Sequence, residues 1–362
     1  MGFRCVNGRL GRCAIAGLFL LAILMQTSAQ SLPSMQYPWD QRPPKCTLPE
    51  LAPTATCAHE DWPSYGVAIN HLEHLVHVGG YALLERALTE LATSDQQFSN
   101  GFPKAGTVWW GIRRMTQGMD SKTPESNKLR PWKAAVPHSN FVVIGEAQNL
   151  YDQAWGFRGE GVASTVSPEA WKLFHRKLRE AEDLLLAAPQ LTKDTPVWHF
   201  TMLYLALNSP ELKTKPDALF QDAIKRWPRH FPMYELVLGY QVPKWGGSWQ
   251  KVDLLVDHWS RGLAATEGDS VYARLYVLLF QGGDDLPKGL KMNWQRMKTS
   301  LEDLIKRYPE PYFKNVYAGY ACKLRDKAAF AKAIGMVPKK DVIKEGWFSG
   351  HPYEACMLWA AT

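Results

Sequence analysis

Between residues 141 and 335 the apolar positions follow a helical period. In 168–188, Ala170, Phe174, Leu178, Ala181, Leu185 and Ala188 recur at steps of three and four, one face of a helix. Ser167 stands at the cap position and Pro168 at the first helical position. Glu169 complements the positive helix end, and Pro189 stops the run. The same grammar predicts further helices. Pro196, Pro216, Pro232 and Pro311 open four of them; Ser248, Ser270 and Asn293 cap three more; a last one runs from about Asp326 to Ile334.

Two of these segments match each other. Ile224-Lys225-Arg226-Trp227-Pro228 corresponds to Ile305-Lys306-Arg307-Tyr308-Pro309, and each is followed by a Pro-opened helix ending in Gly-Tyr, at Gly239-Tyr240 and Gly319-Tyr320. Pro228 and Pro309 are 81 residues apart, and Pro189 lies 39 before the first. A unit of about 40 residues holding two helices predicts an all-α fold, an α-solenoid of stacked antiparallel helix pairs of the tetratricopeptide-like kind. The 141–335 segment is therefore expected as a helical-repeat domain, with 336–362 as a C-terminal tail.

The first part of the chain reads differently. Residues 30–66 form an irregular arm in which Pro33, Pro38, Pro43, Pro44, Pro49, Pro53 and Pro63 exclude a helix or a central strand. Leu72, Leu75, Val78 and Leu83 mark a helix from about Val67 to Ala92, broken at Gly79-Gly80. Residues 94–140 show no long clean period. In residues 1–29, Arg4, Arg9 and Arg12 precede the apolar run Ala14–Met25, then small residues Thr27 and Ala29. That pattern predicts a signal peptide cleaved after Ala29 and a secreted or periplasmic chain. The run is too short to span a bilayer, and the cleaved chain is not expected to be an integral membrane protein.

Cleavage changes the charge and the cysteine count. The formal charge of +7 falls to 39 basic against 35 acidic residues, so basic balance is no argument for nucleic acid. Cys46, Cys57, Cys322 and Cys356 remain, an even number that suits an oxidising compartment and allows three pairings. The favoured pairing is local, Cys46 with Cys57 and Cys322 with Cys356.

The 15 Trp, 14 Tyr and 14 Phe fall mostly at core spacing, where their role is packing. Two Trp residues stand beside glycines at helix ends. Trp155 precedes Arg158-Gly159-Glu160-Gly161, where Arg158 either grips a carboxylate or phosphate or bridges carbonyls at a helix end. Trp245 lies in Pro243-Lys244-Trp245-Gly246-Gly247, where it either plugs a groove or lies against a sugar ring. His71, His74 and His77 turn too far around one helix to share a metal, so no metal and no cofactor are expected. Glu146, Asp152 and Glu160 are the carboxylates that a glycosidase would need, although nothing in the sequence fixes their separation.

Trp155 with Arg158-Gly159-x-Gly161 and Thr165-Val166, then Pro243-Lys244-Trp245-Gly246-Gly247, then Tyr272-Ala273-Arg274 resemble the bacterial family called domain of unknown function 4034. The resemblance spans about Ile69 to Ile334 and implies a tetratricopeptide-like helical fold, with no established activity. Many members carry a Tyr after the second glycine, where this chain has Val162. The sequence thus predicts an uncharacterised exported binding or scaffold protein holding a protein or peptide partner in the cell envelope. Trp155, Arg158, Trp245 and Arg274 are the expected lining. The alternative is an enzyme acting on envelope glycans.

Overall fold

A computed structural model of the chain describes residues 64–116, 128–159, 161–280 and 285–362. The signal-peptide segment, residues 30–63 of the Pro-rich arm, Cys46, Cys57 and Glu160 lie outside these residues, and the last three positions expected in the arm, 64–66, instead cap and open the first helix. The described residues form an all-helical fold of packed helix pairs, without named strands.

The helices are α1 (Tyr65–His77), α2 (Tyr81–Ala92), α3 (Gly106–Thr116), α4 (Leu129–Ala135), α5 (Val142–Arg158), α6 (Pro168–Leu186), α7 (Pro196–Ala206), α8 (Pro216–Arg226), α9 (Phe231–Gly239), α10 (Trp249–Gly262), α11 (Ser270–Leu279), α12 (Trp294–Arg307), α13 (Pro311–Lys323), α14 (Lys327–Ile334) and α15 (Tyr353–Ala361). Gln190–Lys193 and Ala264–Glu267 add single turns.

Local chemistry sets most of the boundaries. The side chains of Ser167, Ser248 and Asn293 accept from the backbone N–H groups of Ala170 (3.2 Å), Lys251 (3.1 Å) and Arg296 (2.9 Å). Gly79, at φ +72°, separates α1 from α2, a conformation that only glycine adopts without strain. Trp227 and Tyr308, the matched residues before proline, end α8 and α12 with nearly the same backbone, φ/ψ −131°/68° and −130°/82°. Proline bars its predecessor from the helical region, so both helices stop alike. Ser270 does not cap α11. Asp269 holds the cap position, and the Ser270 hydroxyl donates to the Glu267 carbonyl at 2.7 Å.

Two kinds of helix alternate along the chain. In α6, α8, α10 and α12 one stripe is buried and the rest is polar. In α7, α11 and α13 nearly every residue is buried, so these helices need cover on both sides. Their sequence partners supply one side, as α8 does for α7 and α12 for α11. The other side is covered from far along the chain. Trp109 of α3 lies edge-on to Phe200 of α7, and the loop 96–104 lies against α11. The segment 339–348 covers α13, where Asn315 accepts from the backbone N–H of Ile343 and the indole of Trp347, both at 3.0 Å.

Two segments without a clear period thus have defined roles. Within 94–140 the chain forms α3 and α4, and 336–362 folds back to end in α15. The Cys322–Cys356 disulfide joins α13 to α15, with Cα atoms 5.7 Å apart.

Candidate functional site

The packing of α5 along α6 sets Trp155 and Arg158 in place. The Trp155 ring stands edge-on to Phe174 at 5.5 Å. Gly159, at φ +68°, ends α5 and lets the chain turn back, with its N–H donating to the Trp155 carbonyl at 2.8 Å. The Arg158 guanidinium lies over two indoles, 4.9 Å from the Trp155 ring and 5.3 Å from that of Trp171. Its Nη1 donates to the carbonyls of Gly159 (2.9 Å) and Gly161 (2.8 Å). Arg158 does bridge carbonyls at the helix end, yet only half of its fork is used. No described residue accepts from Nε or Nη2.

The turn Pro243–Trp245 brings the second Trp. Gly246 takes the left-handed conformation, and Gly247 packs its backbone against that of Gln241, where a Cβ would collide. Trp245 stacks on Tyr240 at 5.4 Å and remains 37% exposed. The Lys244 ammonium sits 5.2 Å from the same indole. Burial lowers the Lys244 pKa, and the positive charge of Arg158 lowers it further. The end of α5 and this turn, far apart in sequence, therefore share one electrostatic neighbourhood.

Aromatic contacts continue from one indole toward the other. The Tyr151 ring lies 6.2 Å from Trp155 and 4.6 Å from Tyr204. The Tyr151 hydroxyl interacts with those of Tyr204 and Tyr240, and Asn208 donates to the Tyr240 hydroxyl. Burial raises the pKa of all three phenols, so they stay neutral. The outer rim is open. A Cβ added at Gly156, Gly159, Gly239 or Gly246 would meet nothing within 4 Å. Phe157 (44% exposed) and Val162 (68%) flank Arg158 in sequence. The rings of Trp155, Trp171, Tyr240 and Trp245, with Arg158 and Lys244 against them, make up an aromatic shelf carrying two cations.

Arg274 lies elsewhere. It is 5% exposed, with its guanidinium among the rings of Phe231 (4.7 Å), Tyr308 (4.5 Å) and Phe313 (5.5 Å). It donates to the Asn100 carbonyl at 3.3 and 3.4 Å. Its role is to hold the loop 96–104 against α9 and α12, a bond across 174 residues that the local motif could not reveal.

The candidate carboxylates are tied to cations. Glu146 pairs with Lys133 at 2.6 Å and Asp152 with Arg113 at 2.5 Å. Glu235 is the acid that the sequence reading missed. It stands half-buried on α9 with no cation or hydrogen-bond donor among the described residues, and partial desolvation pushes its carboxyl up to about 8. A single charge in the otherwise apolar helix Phe231–Gly239 was the available signal.

A separate groove of about 320 Å³ lies between α4, α5 and α6, lined by Leu129, Arg130, Lys133, Glu146 and Leu184 among others. His71 is buried while His74 and His77 are exposed, so the three histidines do not converge. No described helix is long and apolar enough to cross a membrane, and no group of three or more His, Cys, Asp or Glu among the described residues could hold a metal ion. Family models, curated proteins and solved structures contain no match to this chain.

Proposed function

We propose that the chain is an exported binding or scaffold protein of the bacterial cell envelope, related to the domain of unknown function 4034 family, and that it holds a protein or peptide partner on the aromatic shelf. One observation carries this reading. Arg158 and Lys244, from distant parts of the sequence, come close enough to feel each other's charge, each beside an indole, Trp155 and Trp245, and next to glycines with open space around them. Glycine at such positions lets another backbone approach closely. The disulfide and the basic–apolar start of the sequence support export.

The test is site-specific photo-crosslinking in cells, with the reactive group at Val162. A discrete adduct that disappears in Trp245→Ala is the expected result. The same adduct pattern in both chains sinks the shelf reading.

Glu235 supports the second reading, an enzyme on envelope glycans, because a carboxyl pushed up to about 8 is protonated at neutral pH, as a general acid must be. A glycosidase also needs a second carboxylate about 5 Å or 6.5–9.5 Å away. Release of reducing ends from purified envelope glycan, lost in Glu235→Gln, would establish this reading; no release by the wild-type chain rejects it.

A further inference from the structure

We infer that the exposed side of α15 docks on an anionic lipid surface, with Leu358 and Met357 entering the headgroup layer and Arg325 and Lys327 meeting the lipid phosphates. None of the shelf residues takes part, so the two surfaces stand or fall separately.

The helix supplies the first argument. Of its nine residues only Cys356 is buried, and the Cys322–Cys356 disulfide holds that side against α13. Leu358 is 72% exposed, and Met357 and Ala361 are exposed with it. The last helix of a stacked array ordinarily turns a polar side outward. Here the outward side is apolar, with Glu354 as its one charge. An exposed apolar patch of this kind marks a surface that something else covers.

Charge says what covers it. The turn between α13 and α14 runs beside α15 and sets two cations against one indole. Arg325 Cζ lies 5.2 Å and Lys327 Nζ 5.8 Å from the Trp359 ring. The charges around them are already paired: Lys323 with Asp285 at 2.7 Å, Lys332 with Glu302 at 2.6 Å and Asp326 with Lys298 at 3.0 Å. Arg325 and Lys327 are exposed and pair with no carboxylate among the described residues. The face thus offers two cations against the single acid Glu354. A second copy packed on it would double that excess, whereas a layer of phosphates neutralises it.

The indole joins the two halves. Trp359 is half-buried between the cations and Phe330, whose ring lies 5.6 Å away. An amphipathic ring beside Arg and Lys, next to protruding apolar side chains, suits the boundary between headgroups and acyl chains. Leu358 projects from a convex helix, and a soft layer takes it up without a preformed pocket. Nine residues are far too few to span a bilayer, so α15 lies on the surface.

The test is vesicle co-sedimentation of the oxidised chain from Gln30 onward. One set of vesicles is equal parts phosphatidylglycerol and phosphatidylcholine; the other is phosphatidylcholine alone. Binding to the anionic set is expected to be about tenfold tighter or more, with the margin shrinking as salt rises. Leu358→Asp changes an exposed position and should weaken anionic-vesicle binding about tenfold, with the circular dichroism unchanged. Arg325→Asn together with Lys327→Gln should remove the anionic preference. Asn tolerates the left-handed backbone of Arg325, at φ +58°. Glu354→Gln takes the acid off the face and should strengthen binding.

Equal binding to the two sets, no binding to either, or binding that Leu358→Asp leaves unchanged would overturn the inference. So would a dimer in sedimentation velocity that Leu358→Asp dissolves while no vesicle is bound, since the face would then belong to a second copy. If Leu358→Asp loses helicity, the Arg325 and Lys327 double variant decides, and an anionic preference that survives it overturns the inference.

Discussion

Arg274 donates to the carbonyl oxygen of Asn100 at 3.3 Å, joining α11 to a loop that precedes it by 174 residues. The contact is tight on both sides. Gly101, at φ +73°, lies so close to Arg274 and Tyr308 that a Cβ there would collide with both. Arg274→Ala leaves a buried carbonyl unsatisfied and three rings without their cation, and should cost about 2–4 kcal/mol. Gly101→Ala should cost about 2 kcal/mol or more, from the positive φ and the collision together. Urea unfolding followed by circular dichroism reads both; a loss below about 0.5 kcal/mol for Arg274→Ala would mean the loop is not held this way.

The two Gly-Tyr steps of the internal repeat should respond in opposite directions. Gly239 faces open space, so Gly239→Ala is expected to be neutral or stabilising by up to about 1 kcal/mol at this helix end. Gly319 packs against the backbone carbonyl of Gly346, so Gly319→Ala should destabilise by about 2 kcal/mol. Thermal melts of the two variants decide the matter, and equal shifts would contradict the packing of 339–348 on α13.

These pairs show how far the sequence could be read. Caps, proline openings and proline stops act within a few residues, so Ser167, Ser248, Asn293, Trp227 and Tyr308 behave as the sequence implies. Ser270 differs because the adjacent Asp269 takes the cap position. Helix α3 is poorly marked in the sequence because it opens on Gly106 with no capping side chain and no proline, and buries most of its residues. The burial of Arg274 and the isolation of Glu235 depend on distant neighbours, for which a single sequence carries no local mark.

Stability should fall on mild acidification because of His230. It is buried on α9's leading edge, and burial holds its pKa down at about 3 against an ordinary 6.5. The folded state keeps it neutral, so the unfolded chain binds the extra proton. Its contribution is fully present above about pH 6.5 and is lost as pH falls toward about 3. The loss should approach about 1.4 kcal/mol per pH unit across that window. His230→Leu should flatten the profile; an unchanged acid slope would show that other groups govern it.

Glu235 works in the opposite sense. Its folded pKa lies above the ordinary 4.5, so its contribution is present below about pH 4.5 and is lost as pH rises through about 8. Glu235→Gln should therefore gain relative stability on the alkaline side. Chemical denaturation at pH 6 and pH 9 compares the two chains, and parallel curves would show that Glu235 titrates alike in the folded and unfolded chain.

The disulfide should hold α15. Cys322 and Cys356 are separated by 34 residues, and a loop of that length implies about 3–4 kcal/mol on the chain-entropy account. Dithiothreitol or Cys356→Ser should lower the melting temperature and open the region near Gly350 to limited proteolysis. Identical digestion of oxidised and reduced protein would show that α15 is held by packing alone.

The loop 96–104 has a further consequence for the order of folding. A ribosome releases it long before α11 and Tyr308 exist, so the nascent N-terminal third must wait with its apolar surfaces uncovered. Closure comes only near the end of synthesis. Chains truncated before α12 should therefore need chaperone protection.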